Sequence, residues 1–283
     1  MPTHSFPTWF FDYDNDGWED LFVTGYLLKD QGDIASDYLG LPHDSELARL
    51  YRNRGDGTFE DVTKKAGLSK LLLAMGSNYG DLDSDGWLDI YLGTGDPDLA
   101  TLLPDRVFRN AEGRIFQDVT TSGGFGHLQK GHGVSFADLD NDGDQDVYHS
   151  VGGAFEADHF RNALFENPGH GHHVVKLKLE GVASNRPGIG ARIKVVVKTA
   201  AGERAIHRTM SSGGSFGSSP LRLEIGLGDA LGIERVEIRW PSNGPPQILS
   251  GLALDGAYLV REGGETAVPI PLRRFRLGGS LEK

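Results

Sequence analysis

Asp12-Tyr13-Asp14-Asn15-Asp16-Gly17-Trp18-Glu19-Asp20 recurs as Asp81-Leu82-Asp83-Ser84-Asp85-Gly86-Trp87-Leu88-Asp89, and again as Asp138-Leu139-Asp140-Asn141-Asp142-Gly143-Asp144-Gln145-Asp146. The common pattern is D-x-D-x-D-G-x-x-D. Carboxylates at positions 1, 3, 5 and 9 converge on one point only where the backbone curls tightly. Gly17, Gly86 and Gly143 at position 6 allow the positive-φ turn this needs. The carbonyl of position 7 (Trp18, Trp87 and Asp144) offers a further oxygen. Four carboxylates, one carbonyl and water make the six to eight hard oxygen ligands that calcium prefers, and without imidazole or thiolate the set does not suit zinc or copper. The expected ligands are Asp12, Asp14, Asp16, Trp18 and Asp20 in the first loop. In the second they are Asp81, Asp83, Asp85, Trp87 and Asp89, and in the third Asp138, Asp140, Asp142, Asp144 and Asp146. Calcium at three sites is the cofactor this predicts. An EF-hand needs a bidentate glutamate at position 12, on a helix. Val23, Leu92 and His149 stand there, in strand-like runs.

Outward from the loops the chain repeats itself. Each loop runs into an apolar segment (Leu21-Phe22-Val23, Ile90-Tyr91-Leu92 and Val147-Tyr148). An aromatic residue two before an asparagine follows: Tyr51-Arg52-Asn53, Phe108-Arg109-Asn110 and Phe165-Glu166-Asn167. Asp81 to Asn110 and Asp138 to Asn167 both span 29 positions, and the period between the second and third units is 57. The first unit is longer by 12 residues within 27–46, which reads as an inserted surface loop. Four short β-rich segments per unit at a fixed period of this length predict β-propeller blades. The expected fold is all-β: a partial propeller of about three blades, followed by a β-sandwich-like domain. Two full units and a third without its last strand are too few to close a ring. That predicts a fragment of a longer protein, or a ring completed by another chain or by missing blades.

Composition narrows the function classes. The chain has 283 residues, 40 glycines, no cysteine and a formal charge of −12. Fourteen acidic residues sit inside the three loops, more than the whole excess of acid over base. With no basic stripe, a nucleic-acid partner is not expected. No apolar run reaches the ~20 residues of a membrane span. The absence of cysteine excludes disulfides and thiolate chemistry. The N-terminal residues show no signal-peptide pattern.

After Asn167 the texture changes. Alternating runs at 174–179, 193–197, 221–227, 236–240 and 258–260 are divided by Gly, Pro, Asn and Ser clusters, which predicts an antiparallel sandwich. The expected boundaries are 1–168 for the blades, 169–264 for the sandwich-like domain, and 265–283 for a linker-like or frayed tail.

The D-x-D-x-D-G-x-x-D units resemble FG-GAP/VCBS repeats, the blades of integrin-α-type propellers. Ser184-Asn185-Arg186-Pro187-Gly188-Ile189-Gly190-Ala191-Arg192, Gly226-Leu227-Gly228 and Arg239-Trp240-Pro241-Ser242 resemble the ASPIC/UnbV domain. Together they resemble the cartilage acidic protein family and its bacterial UnbV-like relatives, found near enediyne biosynthesis genes. The resemblance covers about residues 6–262. It implies an extracellular or periplasmic setting and binding roles without an established reaction. The cysteine-rich terminal module of animal members and most of the expected blades are absent.

Three other motifs have plainer readings. Gly213-Gly214-Ser215-Phe216-Gly217 satisfies G-x-S-x-G, but a nucleophile elbow needs a strand before it and a helix after it. Arg54-Gly55-Asp56 spells an adhesion tripeptide within a repeat turn. His170, His172 and His173 cluster as soft-metal ligands do, without a fourth ligand. The two tryptophans of the loops are expected to pack between blades. The function expected is a non-enzymatic, calcium-stabilised binding or assembly module for an unidentified protein or glycan. The alternative is an enzyme or accessory protein acting on polysaccharide or in natural-product biosynthesis.

Overall fold

The computed structural model describes residues 2–98, 100–152, 156 and 160–277. The first repeat folds as an antiparallel meander of β1 (Thr8–Phe11), β2 (Asp20–Val23), β3 (Arg49–Asn53) and β4 (Phe59–Asp61). The second is the same meander of β5 (Ala74–Gly80), β6 (Asp89–Thr94), β7 (Arg106–Ala111) and β8 (Ile115–Asp118). The third has three strands, β9 (Gly131–Ala137), β10 (Asp146–Val151) and β11 (Ala163–Phe165). Each aspartate loop joins the first two strands of its sheet, so its last aspartate opens the second strand.

The period of two decides which side chains meet. In β1, Trp9 and Phe11 are buried while Thr8 and Phe10 are exposed. Trp9, Phe22 and Leu50 of the first sheet share a core with Ile90 and Phe108 of the second. Tyr91 and Val107 of the second share one with Phe136 and Val147 of the third. Face-to-face stacking of repeated meanders, each seam closed by apolar rows, is the packing of a β-propeller.

Two further sheets follow, so the chain holds five, more than the about three blades expected. They comprise β12 (His173–Glu180), β13 (Arg192–Thr199), β14 (Gly202–Thr209), β15 (Leu223–Gly228), β16 (Gly232–Arg239), β17 (Gln247–Leu249), β18 (Ala257–Arg261) and β19 (Val268–Pro269). They carry no aspartate loop, so a count keyed to that loop could not register them. The fourth sheet runs β15-β12-β18-β19 and the fifth β14-β13-β16-β17, the chain crossing repeatedly between them. Val175, Leu177, Ile193, Val195, Ile225, Val236 and Val260 form one core between the two. The expected all-antiparallel pairing is corrected here, because β12 lies parallel to β18.

Two smaller expectations also change. The insertion at 27–46 contains a helix, α1 (Gly32–Leu39), ended by Gly40 in the left-handed region at φ 66°. It is held on the second sheet by the Tyr38 ring, 4.7 Å from the Arg106 guanidinium carbon, and by Ile34 near Leu71, Leu73 and Leu103. The segment after 264 is not a free tail: β19 pairs with β18, and the Phe275 N–H donates to the Asp140 carbonyl at 3.0 Å. Residues 278–283 lie outside the described residues.

Candidate functional site

Each loop is shaped by its own carboxylates before any ligand is considered. At position 1, Asp12 accepts from the N–H groups of Asp16 and Gly17 at 3.1 and 2.8 Å, and Asp138 accepts from Asp142 and Gly143 at 3.0 and 3.2 Å. Asp81 accepts from Gly86 at 3.0 Å. At position 5, Asp16, Asp85 and Asp142 each accept from the N–H of position 7. The turn needs positive φ twice, at the glycine (89°, 90° and 125°) and at position 4, where Asn15, Ser84 and Asn141 stand at 53°, 54° and 60°.

Position 9 has a second role that the sequence reading did not anticipate. Asp20 accepts from the N–H groups of Tyr13 and Asn53, Asp89 from Leu82 and Asn110, and Asp146 from Leu139 and Asn167. Every ninth aspartate thus ties the start of its loop to the landmark asparagine on the third strand. The asparagine side chains extend that tie across the seams. Asn110 Nδ2 donates to the Tyr13 carbonyl at 2.9 Å, and Asn167 Nδ2 to the Leu82 carbonyl at 2.7 Å.

Three carboxylates of each loop come together. Oxygens of Asp12, Asp14 and Asp20 lie within 4.8 Å of one another, as do those of Asp81, Asp83 and Asp85, and those of Asp138, Asp140 and Asp146. Asp16 and Asp142 fall outside these tightest groups, as do Asp89 and Asp144. The rings of Trp18 and Trp87 lie over Gly55 and Gly113 in the outer turn of their own sheets, and Asp14 of the first sheet also lies against Gly113, which puts the Trp87 seat at the seam with that sheet. A Cβ on Gly55 or Gly113 would meet those rings at 2.9 or 2.7 Å, so the turn inside Arg54-Gly55-Asp56 is a tryptophan seat.

Protein cations share these loops, and sequence reasoning missed all of them. Arg52 spans Asp14 and Asp16, and Arg109 spans Asp83 and Asp85. The available signal was the arginine repeated inside the Tyr-Arg-Asn and Phe-Arg-Asn landmarks. Others arrive from the last two sheets, beyond the reach of any local pattern. Arg208 Nη2 of β14 lies 3.2 Å from Asp81 Oδ2, and Lys176 Nζ of β12 contacts Asp138 Oδ2. Arg204 donates to the Asp85 carbonyl, and Glu224 accepts from the Asp138 N–H.

Even so, the acids stay strained. Burial, with like-charge neighbours, pushes Asp12 and Asp81 up to about 7 and Asp20 to about 8, from an ordinary value of 3.8. Burial likewise raises Asp89 well above its usual range, Asp85 to about 6 and Asp144 to about 7. Asp14 Oδ1, Asp81 Oδ1, Asp83 Oδ1 and Asp144 Oδ1 are buried without a hydrogen-bond partner. Two of these four belong to the second loop. A converging, oxygen-only donor set with buried unpartnered oxygens has the chemistry a hard cation requires.

The other motifs resolve differently. The segment Gly213–Gly217 inserts between the first strands of the second and third sheets. Ser77 and Ser215 exchange backbone hydrogen bonds at 2.8 and 2.7 Å, and the Val134 N–H donates to the Phe216 carbonyl. A Cβ on Gly214 would lie 2.3 Å from the Ser77 carbonyl oxygen, and one on Gly217 1.9 Å from that of Val134. Close backbone approach therefore accounts for the glycines of G-x-S-x-G. His172 Nδ1 pairs with the Asp83 carbonyl and His173 Nδ1 with Asp255, and the described residues hold no metal-type grouping that includes the histidine cluster.

Stacked meanders joined by D-x-D-x-D-G-x-x-D corners define a β-propeller of FG-GAP-type repeats. Residues 12–92 match the family model for an FG-GAP-like repeat, and residues 181–267 that for ASPIC and UnbV. The chain thus carries an FG-GAP-like repeat followed by an ASPIC/UnbV domain, the arrangement of the UnbV-like family that its motifs resemble. No curated relative matches the chain.

Proposed function

We propose that the three loops bind calcium or a similar hard divalent cation, and that the protein is a non-enzymatic binding or assembly module whose sheets the cation stabilises. The observation that carries this reading is the set of buried, unpartnered oxygens on Asp14, Asp81 and Asp83, each a member of a converging carboxylate group. Two carboxylates about 4 Å apart repel by on the order of 4 kcal/mol at an effective dielectric of 20. A bound dication removes that repulsion, and Arg52 and Arg109 then hold the outer oxygens. The loops also anchor β2, β6 and β10 and contact the last two sheets, so the cation acts on shape. We read the first three sheets as blades, within 1–168, and the last two as one sandwich-like domain, within 169–264. An extracellular or periplasmic setting, with a protein or glycan partner, accords with this repeat type.

Calorimetric titration of the chelator-treated chain with calcium tests the reading. Saturable heat is expected from the wild type, with a smaller stoichiometry in Asp83→Asn. Absence of saturable binding by the wild type would overturn it.

One observation favours the rival reading of a ligand-processing or accessory protein. A cavity of about 870 Å³ beside the third loop is lined by Asp144, His170, His172, Lys176, Asp255 and Arg274. Thermal-shift screening against polysaccharide fragments, repeated on His170→Ala, would support that reading only if a fragment stabilised the wild type and not the variant.

A further inference from the structure

The last two sheets meet all three aspartate loops at the same place, the corner formed by positions 3 to 6. In the first loop, Asn15 Oδ1 accepts from the His207 N–H of β14 at 3.0 Å. In the second, the Gly228 N–H of β15 donates to the Ser84 carbonyl at 2.9 Å, and Arg204 Nη1 of β14 donates to the Asp85 carbonyl at 2.8 Å. In the third, Arg222 Nη1 donates to Asn141 Oδ1 at 3.3 Å, and Asn141 Nδ2 to the Arg273 carbonyl at 3.2 Å. Asn15, Ser84 and Asn141 are the three position-4 residues held at positive φ. The surface being gripped is thus the left-handed turn itself, and the carboxylates that close the turn set its shape.

One glycine shows how closely the fit is made. Gly226, in the Gly226-Leu227-Gly228 motif, lies outside the positive-φ region, so its backbone does not call for glycine. A Cβ there would lie 2.3 Å from Asp81 Oδ2 and 2.5 Å from the Ser84 carbonyl carbon. A motif of the ASPIC/UnbV domain is bare because an aspartate loop presses on it.

The same contact buries charge. Asp81 and Asp138, the position-1 carboxylates of the second and third loops, are 2% and 4% exposed. Among the described residues, the aspartates of the second loop are ion-paired with Arg109 and Arg208, which leaves carboxylate charge for a dication to balance. Unbalanced charge is costly under a covering sheet and favours opening to water. The two parts of the chain are otherwise self-sufficient, since the last two sheets enclose a core of their own and the first three have separate ones. A further tie joins the parts without any carboxylate: the paired backbones of Ser77 and Ser215.

We propose that the loops form a cation-operated latch between the two parts of the chain. With the ion bound, the corners keep the shape that β14, β15 and residues 273–275 grip. Without it the corners open and that grip loosens, the tie at Ser77 and Ser215 acting as the pivot. The proposal rests on reading the loops as cation sites and adds what the ion controls. Binding and docking are linked, so docking in turn tightens the loops on the ion.

Hydrogen exchange of the full chain in excess calcium and in excess chelator tests it, alongside calorimetric titration with calcium. The amides of His207 and Gly228 should exchange roughly tenfold faster in chelator, while those of Ser77, Ser215 and β13 change by less than about twofold. Arg204→Met removes a grip on the Asp85 carbonyl without touching a carboxylate. Deleting a positive charge beside the loop would by itself raise calcium affinity, whereas the latch predicts a fall of about threefold. Calcium uptake with equal exchange at His207 and Gly228 in both conditions would overturn the latch and leave the cation sites standing. Exchange that quickens equally at β13, Ser77 and Ser215 would overturn it too, because that is general loosening. So would an Arg204→Met chain that binds calcium as tightly as the wild type or more so. A chain that takes up no calcium would bring down the latch and the cation reading together.

Discussion

The second and third loops have the same pattern, the same place in their sheets and the same ninth-position tie, yet they are neutralised from different directions. In the second, Arg109 of the same sheet spans two carboxylates, Arg208 reaches Asp81, and two oxygens stay unpartnered. In the third, an exposed glutamate, Glu166, replaces that arginine, and the charge comes from Lys176 on β12, buried against Asp138. Position 7 differs too, with Asp144 in place of the tryptophan that seats on the outer turn. A repeat thus conserves the backbone of its corner while leaving open which part of the molecule balances its charge. The second loop is balanced by its own sheet and the fifth, through Arg109 and Arg208, and the third by the fourth sheet, through Lys176.

The largest test of that difference is Lys176→Met. Breaking a buried ion pair from one side costs about 3–5 kcal/mol. Chemical denaturation in chelator should show a loss of that size, and calcium should recover much of it by neutralising Asp138. A loss indifferent to calcium would erase the distinction between the loops. Next comes Asp83→Asn, which removes an unpartnered oxygen from the second loop. Calcium at 100 times Kd stabilises by ~2.7 kcal/mol per site. The variant should lose about that increment in calcium and little in chelator, as read by the same denaturation curves.

The pH dependence is opposite in sign with and without the ion. Asp12, Asp20 and Asp81 have folded-state values of about 7 to 8, above their ordinary 3.8, so the folded chain holds protons the unfolded chain has released. Without calcium, their contribution to stability is full below about pH 4 and is lost as pH rises through 7 to 8. Calcium affinity should rise across the same window, as protons leave the ligands. Unfolding midpoints at pH 5 and 8, in chelator and in calcium, check both halves. The smallest effect is that of Glu166→Arg, which gives the third sheet the arginine of the other two. At an exposed position it should stabilise the calcium-free chain by under about 1 kcal/mol, measurable as a small rise in denaturation midpoint.

How much of this was legible in the sequence depended on whether the signal was local. The loops, their glycines and the 57-residue period are patterns within one unit, and the structure places the β-segments where the pattern predicts. The clamp formed by Asp20, Asp89 and Asp146 was half legible, since the landmark asparagine was visible but its partner was not. Arg208 lies 127 positions from Asp81, and Lys176 lies 38 from Asp138, so no spacing could pair them. The fourth and fifth sheets alternate like any strands and carry no repeated loop, which hid both their number and the parallel β12–β18 pair. Gly213–Gly217 matched a catalytic motif because the sequence shows glycines but not the Ser77 and Val134 backbones pressed against them.

The central claim is that the aspartate loops hold a cation that stabilises the fold, and thermal unfolding of the full chain in excess calcium against excess chelator tests it most directly. Occupancy of the loops predicts a higher unfolding midpoint in calcium, a rise that shrinks when Asp83 is replaced by Asn. Identical midpoints in calcium and chelator, in a chain that is folded in both, would contradict it.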